Sequence, residues 1–164
     1  MIRELPRRKS IRLPEYDYSR QGAYFVTLCS FKKEHVFGEV ADGVVHLNDA
    51  GRMVVEVWAN LPSRFPEVAV DSLVIMPNHV HAILAIAAPV APEGQDRRRM
   101  LLSKAVGYVK MNASKRVNAM LRRIGCPVWQ RNYYERIIRD QGELEVVREY
   151  IATNPARWAD DPER

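Results

Sequence analysis

Alternation of apolar and polar positions is sharpest around Met76-Pro77-Asn78-His79-Val80-His81-Ala82-Ile83-Leu84. Pro77-Asn78 separates two apolar runs, so residues 68–76 and 79–86 are predicted as the strands of an antiparallel hairpin. Period-two alternation along the second strand puts His79, His81, Ile83 and Ala85 on one face and Val80, Ala82, Leu84 and Ile86 on the other. Upstream, residues 23–31 (AYFVTLCSF) are rich in β-branched and aromatic side chains and predict a central strand. Residues 39–40 and 44–47 flank Ala41-Asp42-Gly43, a hairpin turn carrying a glycine. Asn48 or Asp49 then caps a helix running to about Leu61, where Met53, Val54, Val57, Trp58 and Leu61 recur at helical spacing and Pro62 is expected to stop it.

After the histidine hairpin, Pro89-Val90-Ala91-Pro92-Glu93-Gly94 is a loop by composition, next to Arg97-Arg98-Arg99. A long helix is predicted over residues 96–122, because Leu102, Ala105, Val109, Ala113, Val117 and Met120 or Leu121 keep one face apolar; Ile124-Gly125-Cys126-Pro127 ends it. Residues 129–139 (WQRNYYERIIR) read as an extended segment. Asp140 caps a last helix, Glu143 completes a capping box, and Leu144, Val147 and Ile151 form its inward stripe before Pro155 closes it. Tyr150 and Asn154, four residues apart, share a face beside that stripe and aim at the domain. Helices returning to one side of a mostly antiparallel sheet predict an α+β sandwich, with the histidine strand near its middle.

Composition adds bounds. A chain of 164 residues fits one domain, divided here into a basic arm over residues 1–22 and a domain over residues 23–164. The arm carries Arg3, Arg7, Arg8, Lys9 and Arg12 without sustained periodicity, which suits either a solvated terminus or contact with a phosphate backbone. Lys plus Arg exceed Asp plus Glu by 25 to 20, for a net charge of +5, a mild bias towards anionic partners. Cys29 and Cys126 are too few for a disulfide framework and fit no metal spacing. No apolar run approaches the roughly 18 residues of a membrane span, and no hydrophobic signal core follows the basic start, so no membrane partner and a cytoplasmic location are expected. There is no internal repeat, Gly-rich phosphate loop, Ser/His/Asp order or paired-cysteine motif.

The candidate chemistry lies elsewhere. Two neutral imidazoles side by side on a rigid strand can share one divalent cation, and Asn154 offers an amide oxygen as a third ligand. A hard cation, Mg²⁺ or Mn²⁺, would bind the non-bridging oxygens of a phosphodiester, and two imidazoles bias the site towards Mn²⁺. Tyr150, with an ordinary pKa of about 10, becomes a nucleophile once metal and basic neighbours favour its phenolate, and attack on phosphorus then gives a covalent phosphotyrosine. Tyr133 and Tyr134 are the competing tyrosines, but they lie in an extended stretch without a ligand partner and suit base stacking, one of them facing the core. Lys104, Lys110, Arg131 and Arg136 are candidates for DNA phosphate contact along with Arg7, Arg8, Lys9 and Arg12, although a charge-rich helix face is, considered alone, more often a solvated one. Taken singly, Tyr150 is equally a core tyrosine and Asn154 a helix end.

Taken together, Pro77-Asn78-His79-Val80-His81, the 129–139 segment and Tyr150-Ile151-Ala152-Thr153-Asn154-Pro155 resemble the single-tyrosine HUH transposases (His, hydrophobic, His), most closely the REP-associated tyrosine transposase branch. The likeness runs over residues 10–158. It implies a ferredoxin-like or RRM-like two-layer α+β domain that cleaves and rejoins single-stranded DNA beside a hairpin, leaving a 5′-phosphotyrosine and a free 3′-hydroxyl. By position, His79 and His81 match the family's metal pair, Tyr150 its nucleophile, and Asn154 the polar ligand that is Gln in other branches. Arg136 departs from the pattern, standing where the branch often has His. Insertion-sequence relatives are dimers and the REP-associated branch can act as monomers, so a homodimer stays open. Two other classes stay open as well: a hairpin-DNA-binding protein that has lost strand transfer, and a metal-dependent nuclease that uses water.

Overall fold

In the computed structural model of the protein, residues 22–86 and 101–164 are described. Arg7, Arg8, Lys9 and Arg12 of the basic arm, the 89–94 loop and the start expected for the long helix lie outside them. The elements run β1 (Gly22–Cys29), β2 (Gly38–Ala41), β3 (Val44–Leu47), α1 (Asp49–Ala59), α2 (Leu61–Arg64), β4 (Val68–Ile75), β5 (His79–Ile86), α3 (Leu101–Met120), β6 (Tyr134–Ile138) and α4 (Gln141–Thr153), with 3-10 turns at Phe31–Lys33 and Pro155–Asp160. Four strands form one sheet in the order β4-β5-β1-β6, every neighbouring pair antiparallel. With α1 linking β1 to β4 and α3 linking β5 to β6, this is the βαββαβ arrangement of a ferredoxin-like α+β domain. The histidine strand β5 and the apolar strand β1 are the two interior strands, as their patterns predict.

Alternation sorts the two faces of the sheet. Tyr24, Val26 and Leu28 of β1 and Val80, Ala82, Leu84 and Ile86 of β5 pack with Val54, Val57 and Trp58 of α1 and Leu102, Ala105, Val109, Ala113 and Val117 of α3 in the larger core. The opposite face carries Phe25 and Ile83, which join Ile138, Val147 and Ile151 in a second cluster beneath α4. The expectation that all helices return to one side is therefore corrected for α4. An inward stripe states that a helix is docked, not to which of two apolar sheet faces. Its amphipathic register is as expected, and Arg148 of α4 grips Asp71 on the edge strand β4 with Nε–H bonds of 3.0 and 2.9 Å and an Nη2–H bond of 2.6 Å. Asp71 falls at a break in the β4–β5 register between Val70 and Ser72, where one residue is left without a cross-strand partner.

Local signals place most boundaries. Met76 N–H bonds the His79 carbonyl at 2.8 Å across Pro77-Asn78, closing the turn that aims β5. Asp42 and Gly43, at φ 52° and 73°, form the two-residue turn of the separate β2–β3 hairpin. Asn48 caps α1 by accepting from Gly51 N–H at 3.0 Å, and Asp140 caps α4 by accepting from Glu143 N–H at 2.8 Å. Pro62 does not end the helical region; it sits in the first turn of α2, where a missing N–H costs nothing, and Asn60 marks the break instead. No helix among the described residues is long and apolar enough to cross a membrane.

Candidate active site

The cross-strand register lays His81 of β5 beside Thr27 of β1, with Tyr134 of β6 beyond it, and sets His79 beside Cys29. All of these side chains stand on the α4 face. The two imidazoles are buried, at 0% and 2% exposure, with ring centroids 4.5 Å apart. Burial holds both rings below the usual imidazole range. His81 is pushed down to about 3 by desolvation and then by His79, while His79 is lowered by desolvation against the opposing pull of the Asp161 and Glu163 carboxylates. Both are neutral at pH 7 and able to donate a lone pair.

The surroundings decide which nitrogen carries that lone pair. Asn78 Nδ2–H donates to the backbone carbonyl of Glu163 at 2.8 Å, which turns its amide oxygen towards His79 Nδ1 at 2.7 Å. An amide oxygen only accepts, so the His79 proton sits on Nδ1 and the lone pair on Nε2. His81 Nδ1 stands 2.8 Å from Thr27 Oγ1, and with Nδ1–H donating there its Nε2 also faces inward. Hydrogen-bonded outer nitrogens with free inner ones are the arrangement of metal-ligating histidines.

Helix α4 brings Tyr150 and Asn154 over this pair. The Tyr150 ring packs edge-on to Phe25 at 6.0 Å and lies 5.3 Å from the His81 ring, with its hydroxyl 3.5 Å from His81 Nε2, at the outer limit of hydrogen bonding. Desolvation raises the Tyr150 pKa, the Asp161 and Glu163 carboxylates raise it further, and Asn154 opposes them. Asn154 is 2% exposed, its amide stands beside both His79 and Tyr150, and its Oδ1 has no hydrogen-bond partner.

Asp161 is the residue that the sequence reading missed. After the 3-10 turn the chain folds back so that Trp158 stacks on His79 at 6.1 Å and Asp161 Oδ2 reaches 3.5 Å from His79 Nε2 without a hydrogen bond. Ligand atoms of His79, His81 and Asp161, all buried, lie within 4.8 Å of one another. Two imidazole nitrogens, a carboxylate oxygen and an amide oxygen, three of these four atoms lacking a hydrogen bond, form a donor set that fits a divalent cation such as Mn²⁺ or Mg²⁺. The only sequence trace of Asp161 is an acidic pair before Pro162, seven residues past Asn154.

The candidate DNA-contacting residues are spread around the molecule. Arg136, on β6, borders a cavity shared with Tyr150 and pairs with Glu143 at 3.3 Å. Arg131 is exposed in the loop before β6, and Lys104 is exposed on α3, across the sheet from the histidines. Lys110 donates to the carbonyls of Gln130 and Arg131 at 2.7 and 3.0 Å, and burial lowers its pKa; in this structure it pins a loop. Tyr133 packs against the larger core, whereas Tyr134 is half exposed beside the site.

Residues 54–154 match the family described as Transposase IS200 like. An uncharacterized protein of Haemophilus influenzae is 38% identical over 167 residues, covering 94% of this chain and 91% of that one. Among solved structures, a REP-associated tyrosine transposase bound to a REP hairpin superposes with a TM-score of 0.63 at 19% identity, covering 92% of this chain and 79% of its own. A candidate transposase from Deinococcus radiodurans R1 superposes with a TM-score of 0.51 at 14% identity, covering 86% and 95%. Both structures share the fold.

Proposed function

Because this chain belongs to the IS200-like transposase family, we propose that it cleaves and rejoins single-stranded DNA beside a hairpin, with Tyr150 as nucleophile. One observation carries the reading: the Tyr150 hydroxyl stands 3.5 Å from Nε2 of His81, whose ligand atom lies within 4.8 Å of those of His79 and Asp161, and the amide of Asn154 stands beside both His79 and Tyr150. His79, His81 and Asn154 would hold the ion, with Asp161 as a carboxylate ligand beside them. A divalent cation bound there would supply positive charge that attracts a phosphodiester oxygen and opposes the desolvation and the carboxylates that raise the Tyr150 pKa. Phe25 and the packing of α4 orient the phenol.

On attack the Tyr150 phenol gives up its proton and its oxygen bonds to phosphorus, the bond from phosphorus to the 3′ oxygen breaks, and that oxygen takes up a proton and leaves as a hydroxyl. The phosphotyrosine keeps the energy of the broken diester, so attack by a 3′-hydroxyl reverses the step without a nucleotide cofactor. The hairpin bound by the REP-associated neighbour supports a hairpin as partner here. The basic arm, Arg131 and Arg136 are assigned to phosphate contact, and the chain works in the cytoplasm as a monomer or a homodimer.

Incubation with Mn²⁺ and single-stranded oligonucleotides carrying hairpins copied from the gene's flanks, followed by denaturing electrophoresis and peptide mapping, tests this. A covalent adduct on Tyr150 is expected, dependent on the metal and absent from Tyr150→Phe and His81→Ala. DNA binding should persist in both variants, because phosphate contacts come from Lys and Arg elsewhere. Cleavage without an adduct would assign the reaction to water, and an adduct on Tyr133 or Tyr134 would overturn the choice of nucleophile.

A further inference from the structure

Two cavities open on the histidine face of the sheet, one on each side of Tyr134. The first, of about 280 Å³, lies between β6 and α4 and is lined by Phe25, Tyr134, Arg136, Val146, Val147 and Tyr150. The second, of about 210 Å³, is bordered by Thr27, Cys29, Gln130, Asn132, Tyr133 and Tyr134, with Glu163 among its walls. Tyr134 belongs to both. It stands on an edge strand with 50% of its surface exposed and packs edge-on to Phe25 at 6.3 Å, which leaves its ring available to a further partner. The register places it in one row with Thr27 and His81, and Tyr150 lines the first cavity with it.

The two cavities differ in chemistry. The first has an aromatic and aliphatic lining with one guanidinium, that of Arg136. The second presents the side-chain amides of Gln130 and Asn132, each a donor and an acceptor together. Its wall is fixed from behind: Gln130 N–H bonds the Cys29 carbonyl at 2.9 Å, and Lys110 holds the Gln130 and Arg131 carbonyls. Glu163 is already engaged, accepting from Cys29 Sγ–H at 3.2 Å and pairing with Lys33 at 3.3 Å.

We propose that these are two nucleobase slots: Tyr134 splays apart two successive unpaired bases of the strand that crosses Tyr150, one stacking in the apolar slot and the other read at its edge by Gln130 and Asn132. Every base has a π face, so the apolar slot tolerates sequence, whereas paired donor and acceptor groups discriminate between base edges. Splaying the bases turns the phosphate between them outward, towards the Tyr150 hydroxyl. The assignment rests on the strand-transfer reading above, and it adds where that strand lies and which residues select its sequence.

The test uses the full chain and hairpin oligonucleotides carrying 5-iodouracil at each unpaired position in turn. On irradiation, cross-links to Tyr134 are expected from two neighbouring positions only. An abasic site at either position should slow adduct formation at subsaturating DNA about 5- to 150-fold in the wild type, the range for loss of one base stacked on an aromatic ring. The same abasic site should cost little more in Tyr134→Ala, and Tyr134→Phe should retain the wild-type rate. Gln130→Ala should alter base preference at one position while leaving Mn²⁺ affinity unchanged. Adduct on Tyr150 without a cross-link to Tyr134 and without an abasic penalty overturns the slots and leaves strand transfer standing. Cross-links to Tyr134 without any adduct keep the slots and remove strand transfer. Impairment of Tyr134→Phe equal to that of Tyr134→Ala overturns the stacking role.

Discussion

His79 and His81 are buried where two imidazolium ions would repel, and the protein resolves this by keeping both rings neutral and fixing which nitrogen faces the site. The fixing groups, Asn78 and Thr27, determine whether Nε2 offers a lone pair, and Thr27 also borders the second cavity beside Tyr134. Thr27→Val keeps the shape of the side chain and removes the acceptor from His81 Nδ1. Mn²⁺ affinity, measured by calorimetric titration, is expected to fall about 10- to 100-fold, the usual cost of losing an outer partner of a ligating histidine. Asp161→Ala should weaken the same titration. Unchanged affinity in both variants would show that neither group serves the ion. These partners also mark what the sequence displays and what it hides. A two-residue period assigns His79 and His81 to one face, and helical spacing does the same for Tyr150 and Asn154. Asn78 instead meets the Glu163 backbone across 85 residues, and no local periodicity encodes such a return.

Among the elements, hairpins and caps were legible because each is specified within a few residues, as at Pro77-Asn78, Asp42-Gly43, Asn48 and Asp140. Docking was not, since both faces of β1 and β5 carry apolar residues, Phe25 and Ile83 on the histidine face among them, and either would accept the stripe of α4. Close approach between elements also overrides propensity. Gly51 lies in the first turn of α1, where alanine ordinarily favours a helix by about 1 kcal/mol, but a Cβ there would sit 2.2 Å from the Phe37 carbonyl oxygen and 2.9 Å from Leu47. Gly51→Ala is therefore expected to lower the thermal midpoint, and a higher midpoint would show that α1 can move away freely. The Arg148 clamp on α4 has a pH signature. The guanidinium bond holds the Asp71 carboxyl below its usual range, so its contribution is full above the unfolded carboxylate pKa of about 3.9 and fades as pH falls through the lower folded value. The urea midpoints of wild type and Asp71→Asn should differ at pH 7 and converge in acid, by a modest amount because the Arg148 side chain is partly open to solvent.

For the whole molecule, the distribution of charge constrains how a polyanion can approach. The net charge is +5, yet the nearest charges to the histidines and Tyr150 include the carboxylates of Asp161 and Glu163, and Lys104 lies on the far side of the sheet. Lys33 and Arg157 are the cations felt by His79 and Tyr150, and Arg131, Arg136 and the basic arm are the further candidates for phosphate contact. The arm contributes Arg3, Arg7, Arg8, Lys9 and Arg12, five cations within the first twelve residues. Each phosphate neutralised on a single strand adds about −0.7 to the slope of log affinity against log salt, so removal of residues 1–12 should weaken binding and flatten that slope by up to about 3.5. Lys104→Ala should leave the rate of adduct formation at saturating DNA unchanged, because its position across the sheet separates it from the reacting phosphate. Shape should matter as much as charge, because slots beside Tyr134 reward unpaired bases that a closed duplex cannot present. A single strand bearing a hairpin is therefore expected to bind more tightly than a blunt duplex of the same sequence at one salt concentration. Equal affinity there, with an equal salt slope for the truncated and full chains, would mean that the protein holds DNA through a diffuse positive surface and not through this face of the sheet.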